Sequence, residues 1–216
     1  MSNVDVGSAG NIKAGLPQTE IPEGSFKHTA RSTVKRGAKR ASYDKASVYR
    51  LVDDLKLGHL GFVVDGRPVI IPLTVWRVDD DLYFHVANKS RLQRMLEQGA
   101  EFCVSFAECS EWVMSKSAYH HSANYRSAVL YCTGSRVVEP EDFDHAFSVI
   151  IDQLEADRWQ QIRPPNALER KATALMKLTI NEGSFKSRTG GPSEEPEDMA
   201  LPVWHGTQPV CPYRKT

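Results

Sequence analysis

The first sustained apolar period in the chain is helical. Val48, Leu51, Val52 and Leu55 recur at i, i+3, i+4, i+7 behind Ser42 and Asp44, either of which can cap a helix, and Gly58 offers a stop. Beyond it the period shortens. GHLGFVV, PVIIPLTVWRV and LYFHVA read as three strands of a meander, turned at Asp65-Gly66 and over Asp79 to Asp81. Two of these are near-continuous apolar runs, the pattern of strands covered on both faces. Pro72 removes a ladder donor and predicts an edge or a bulge there.

A short helix is expected from Ser90, with Leu92, Met95 and Leu96 on one face and Gly99 at its stop. EFCVSFAE, EWVMSK and YRSAVLYCTGSRVV resume the strands. Pro140 then opens a helix whose Phe143, Phe147, Ile150 and Leu154 share a face, and Asn166 to Arg170 make a further helical turn. TALMKLTI closes the sheet. EGSFKSRTGGPSEEPED after Asn181 reads as polar loop, and Pro202 to Thr216 as an irregular tail holding Trp204 and Tyr213. Six or seven strands with few helices predict a mainly β fold, a closed or partly closed antiparallel barrel with helical decoration.

Three regions follow. Residues 1–40 are a flexible arm punctuated by glycine and proline, 41–200 the folded domain, and 201–216 a tail contributing to the site or to a subunit interface. Within the arm, Lys27 to Arg40 is basic without one acidic residue. That stretch could meet a phosphate or nucleic acid, or pack on the protein itself; the absence of interleaved aromatic residues favours packing.

Composition narrows the classes. At 216 residues, 41% hydrophobic and 25% charged, the chain can bury a large core and is neither collagenous nor disordered. No apolar run approaches the roughly 20 residues that span a bilayer, and the start lacks secretory or transit patterning, so a cytoplasmic location is expected. Lys plus Arg and Asp plus Glu balance at 27 each, so no whole-chain field steers it to polyanions. Cys103, Cys109, Cys132 and Cys211 lack metal-ligand spacing and read as reduced thiols. His120-His121 has no partner at such spacing, and no metal site is expected.

Candidate chemistry gathers at two places. At Phe84-His85-Val86-Ala87-Asn88-Lys89-Ser90-Arg91, a strand ends and a helix begins, so backbone N–H groups, Lys89, Ser90 and Arg91 can seat a phosphate. A serine cap with two solvated cations is the other reading. His85 lies just before that seat and titrates near neutrality, as an acid–base group or a structural hydrogen-bonder would. At Tyr125-Arg126-Ser127 a phenol, a guanidinium and a hydroxyl stand at the mouth of a strand. GxSxG, P-loop and dinucleotide fingerprints are missing, which weighs against hydrolases and nucleoside triphosphatases.

These segments, with KRASYD, RWQQIRPPNALERKAT and Pro202-Val203-Trp204-His205-Gly206, resemble the flavin-nucleotide-binding, nitroimidazole-resistance branch of the pyridoxamine 5'-phosphate oxidase-like superfamily. The motifs recur in order over about residues 35 to 210. The resemblance implies an FMN-binding split β-barrel, a homodimer with flavin at the subunit interface, and an oxidoreductase acting on a small molecule, with NAD(P)H as a possible donor. FAD and haem are the other cofactors it leaves open. By the same likeness Val69, Ile70, Ile71, Pro72 and Leu73 run beside the isoalloxazine, and His85, Val86, Lys89, Ser90 and Arg91 hold the ribityl chain and phosphate. Tyr125, Arg126 and Ser127 complete the pocket, His85 is the catalytic candidate and Trp204 meets substrate.

Some features depart from the pattern. Relatives carry glycine before the basic pair where this chain has Asn88, and His205 stands where they often carry alanine. The Arg-x-His motif of the vitamin B6 oxidases is missing from the tail, which argues against that activity. A non-catalytic flavin carrier, or a haem-binding or haem-degrading relative with His85 on the iron, are the competing readings. Nucleic-acid binding ranks last.

Overall fold

Alternating burial along long strands organises the molecule. In a computed structural model whose described residues are 23–210, the strands are β1 (Ala41–Ser42), β2 (Leu57–Val64), β3 (Arg67–Thr74), β4 (Trp76–Val78), β5 (Asp81–Ala87), β6 (Glu101–Met114), β7 (Ser122–Arg136), β8 (Thr173–Arg188) and β9 (Gly206–Pro209). All join one antiparallel sheet with the path β3-β2-β6-β7-β8-β5-β4, β1 adding beside β8 and β9 beside β6. Val75 alone separates β3 from β4, the two ends of that path, so the sheet curls back on itself as a split barrel. This is the mainly β, helix-decorated architecture expected from the strand pattern.

Inward-facing Leu60, Phe84, Phe102, Phe106, Leu130 and Met176 are fully buried and fill the barrel. Each contributes about 1.5–3 kcal/mol by leaving water. Helix α1 (Lys45–Leu55) starts at Asp44, whose carboxylate accepts the Ser47 N–H at 2.8 Å, and buries Val48, Leu51 and Val52 against the barrel. Its stop is Lys56, left-handed at φ 51°, and not Gly58 as the sequence suggested. Gly58 instead lies within β2, where a Cβ would stand 3.0 Å from the Phe106 ring and 3.1 Å from Val75.

Helix α2 (Arg91–Glu97), capped by Ser90, lies on the far part of the barrel: a Cβ on Gly134 would come within 2.0 Å of Leu96. Helix α3 (Pro140–Asp152) covers the outer face of β4, β5 and β8. There Phe143, Ala146 and Ile150 pack on Trp76 and Leu175 as a second apolar cluster. Two short helices, α4 (Arg158–Gln161) and α5 (Ala167–Ala172), complete that layer, the latter opened by an Asn166–Glu169 capping box.

Several boundaries differ from the expected ones. EFCVSFAE and EWVMSK form a single strand with a bulge between Cys109 and Glu111. The EGSFKSR segment expected as loop is the second half of β8, because Gly183, Ser184 and Phe185 pair with Leu130, Val129 and Ala128. From Glu23 the arm is packed: Phe26 is 4% exposed in the core, and Arg31 bridges Glu101 (2.9 Å) and Glu182 (2.6 Å) while lying over the Tyr131 ring. Residues 1–22 of the arm, and Cys211 and Tyr213 of the tail, lie outside the described residues.

Candidate functional site

Period-two alternation along β5 turns Leu82 and Phe84 into the barrel and Tyr83 and His85 outward, beneath α3. The imidazole of His85 stacks on Trp76, with ring centroids 5.9 Å apart and planes 18° from parallel, and meets Phe147 at 6.0 Å. Among the described residues it has no hydrogen-bond partner. Although solvent can reach the residue, the apolar mass around it pushes its pKa below the ordinary 6.5, so the neutral ring prevails at physiological pH. Beside it the buried Trp76 Nε1 also lacks a partner.

Beyond Val86, which packs on the barrel core, the chain turns sharply. Asn88 is pinned by its N–H to the Ala172 carbonyl at 2.8 Å and by its side-chain amide to the Lys171 carbonyl at 2.9 Å. Lys89 is left-handed at φ 64°. Its N–H donates to the Gln93 side chain at 2.6 Å, and Ser90 accepts from the Gln93 N–H at 3.2 Å. The Lys89 and Arg91 side chains are exposed, and among the described residues neither forms an ion pair.

Strand β3 is an edge, as Pro72 suggested. Pro68 and Pro72 pair with Val63 and His59 in an unbroken ladder, which requires their nitrogens to face the open side and leaves Ile70 as the N–H donor between them. Val69, Ile71 and Leu73 pack on the core, whereas Ile70 is 69% exposed and Pro72 is exposed.

Tyr125, Arg126 and Ser127 lie within β7 and not at its mouth, because Ser122 to Asn124 already pair with Val113 to Glu111; they stand opposite Cys109, Glu108 and Ala107 of β6. The Arg126 guanidinium donates to Glu108 at 2.5 Å and to Asp54 of α1 at 2.8 Å, hydrogen bonds that raise its pKa further. Ser127 donates to the Lys186 carbonyl at 3.3 Å. Trp204, 62% exposed, lies over Gly206 where β9 joins β6, beyond Tyr125. The tail is tied down by Glu194, which accepts from Ser115 at 2.8 Å and contacts the His205 ring at 2.9 Å.

Apart from the β3 edge, which lies level with the middle of β7, the sequence-predicted residues fall into two groups. The start of β7 touches α1 through Arg126, and its other end touches α2 at Gly134, about 27 Å of extended strand away. His85 and the Lys89–Arg91 turn belong to the α2 end; Tyr125, Arg126, Ser127 and Trp204 belong to the other. Trp76 and Phe147 were missed as site residues, because their spacing reads as ordinary core. Two open concavities flank α3: one of about 300 Å³ lined by Phe147, Ile151, Trp159 and Ile162 with Arg163 and Glu169, and one of about 180 Å³ that includes Arg136 and Phe143.

Comparison with known proteins places these features in context. The family model described as pyridoxamine 5'-phosphate oxidase matches residues 44–187. A flavocytochrome from Azotobacter vinelandii superposes with a TM-score of 0.79 at 32% identity, covering 86% of each chain. An FAD and haem binding protein from Mycobacterium smegmatis does so with a TM-score of 0.74 at 28% identity, covering 79% of this chain and 84% of its own. A protein described as a 5-nitroimidazole antibiotic resistance protein, from Bacteroides thetaiotaomicron, shares the fold with a TM-score of 0.58 at 16% identity, over 68% of this chain and 85% of that one. No curated protein matches the chain.

Proposed function

The chain belongs to the pyridoxamine 5'-phosphate oxidase family, and from that membership we propose that it is a flavin-binding oxidoreductase whose site is completed by a second copy of itself. The observation carrying this reading is the pair of half-sites at the two ends of β7. One copy offers the β3 edge, Val86 and the Lys89-Ser90-Arg91 turn to FMN; its partner offers Tyr125, Ser127 and Trp204, with Arg126 fixed between them by carboxylates. The unpaired cations of the turn suit a phosphate, and the edge N–H of Ile70 suits the polar rim of an isoalloxazine. When bound, the flavin supplies hydride and single-electron chemistry. His85 stands nearby as a neutral base or a substrate-orienting group, and a nicotinamide donor and a small-molecule acceptor fit such a site.

Complementation in trans tests the arrangement. A variant carrying Lys89→Ala and Arg91→Ala is combined with one carrying Trp204→Ala and Ser127→Ala, each unable to hold FMN alone. Random pairing restores about a quarter of the sites if each site draws on two chains, as in a two-fold dimer. No restored flavin fluorescence quenching in the mixture would mean that each site lies within one chain.

A second reading has its own support: two of the solved relatives, alike over 86% and 79% of this chain, are described as a flavocytochrome and as an FAD and haem binding protein. In that reading the chain holds haem as well as flavin and passes electrons between them. The chemistry of its residues fits: a neutral imidazole without a hydrogen-bond partner, set among aromatic rings, is an iron ligand in waiting.

A further inference from the structure

We infer that the basic strap from Lys27 to Arg40 is the docking surface for an acidic electron-carrier protein that reduces the bound flavin; this rests on the flavin reading above. The strap is a folded part of the molecule. Phe26 anchors it in the core, Ser32 is buried, the Val34 N–H donates to the Tyr43 hydroxyl at 2.9 Å, and Lys186 of β8 donates to the Arg36 carbonyl at 2.9 Å. Gly37 turns left-handed at φ 68°, and a single 3-10 turn, Ala38–Arg40, leads into β1. The cations are therefore mounted on a fixed frame.

Among the described residues Lys27, Lys35, Arg36, Lys39 and Arg40 are exposed and form no ion pair, and only Arg31 of the strap is paired. Glu101 and Glu182, the carboxylates that contact the strap, are taken up by Arg31, and no acidic residue occurs between Lys27 and Arg40. A chain of zero net charge thus carries one concentrated positive surface. It offers little to stack a base on, since the neighbouring Tyr43 ring is covered by His28, so it suits the carboxylates of a protein and not a nucleic-acid strand. Its position supplies the function. Lys186, which holds Arg36, pairs with Ala41 on one side and with Ser127 on the other, so the strap lies beside the stretch of β7 that the flavin reading assigns to the cofactor. Redox partners meet through small, transient, charge-steered contacts, and an exposed face without a deep pocket is enough. In the step itself two reduced carriers each give up one electron and leave oxidised, while the flavin takes both electrons and its protons come from water.

The test uses the full chain loaded with its flavin and, as probe, a plant-type two-iron ferredoxin, an acidic carrier. Anisotropy of labelled ferredoxin reads docking, and stopped-flow absorbance reads reduction of the flavin. Combining Lys35→Glu, Arg36→Glu, Lys39→Glu and Arg40→Glu should abolish docking and slow the bimolecular reduction about 100-fold at low salt, within the range of roughly 10 to 10³ that steering contributes to association. Dithionite should still reduce the flavin of both proteins to completion. Added salt should bring the parent down towards the variant. The milder pair Lys35→Gln with Lys39→Gln should fall between them, and Arg158→Glu on α4 should match the parent. Equal ferredoxin affinity and rate in parent and reversal variant overturn the inference and leave the flavin reading intact. So does loss of duplex-DNA binding in the reversal variant with ferredoxin docking unchanged. A parent that takes up no flavin overturns the flavin reading itself, and with it this inference.

Discussion

The two ends of β7 both present cations, in opposite circumstances. At one end Arg126 is held between Glu108 and Asp54; at the other Lys89 and Arg91 stand beside a pinned left-handed turn with no acidic partner among the described residues. The comparison separates charge that fastens secondary structure from charge left available to a ligand. Arg126 joins α1, β6 and β7, its guanidinium taken up by two carboxylates. Lys89 and Arg91 leave a local positive field at a helix start, although the chain as a whole is neutral.

The largest effect should come from removing the available charge. Lys89→Ala with Arg91→Ala is expected to weaken FMN binding by about 2–3 kcal/mol, near 100-fold, since charge-assisted contacts to phosphate are the strong ones. Riboflavin, which lacks the phosphate, should bind parent and variant alike in a fluorescence titration. Equal losses for both ligands would place the phosphate elsewhere. Arg126→Ala should cost about 1 kcal/mol in urea denaturation, because it unpairs two partly exposed carboxylates, and should change FMN affinity by less than about threefold. Release of the flavin by this variant would show instead that the guanidinium leaves its carboxylates for the cofactor.

The smallest effect concerns His85 and has a definite sign. Burial lowers its pKa, so below about 6.5 the unfolded chain takes up a proton that the folded chain resists. Its contribution therefore destabilises the fold as pH drops through 6.5 and vanishes above that value. Urea midpoints at pH 8 and pH 5 should fall further apart for the parent than for His85→Phe. Identical differences would mean that the imidazole is not desolvated.

Local chemistry made much of this legible. Asp65-Gly66 takes positive φ at both residues, 49° and 73°, as a tight hairpin requires, and the Ser90 and Asn166 caps stand where their side chains announce them. The second half of β8 was not legible. Its Gly183-Ser184-Phe185-Lys186 lacks apolar alternation and is held by the register of β7 and by Phe26 from the arm packing against Gly183. Trp76 and Phe147 look like core in any one-dimensional reading, since nothing in their spacing tells that a histidine from another strand lies between them.

By itself the sequence determined the strand period, the turns, the helix caps and the composition of the basic turn at Lys89, because each depends on residues within a few positions. Tertiary structure alone decided which cations are paired, that Pro68 and Pro72 of β3 both face the open side, and that Arg126 and the Lys89 turn lie towards opposite ends of one strand. Those facts depend on contacts between positions far apart in the chain. Arg126 meets Asp54 and Glu108 only when α1 docks on the barrel, and His85 meets Phe147 only when α3 crosses the sheet.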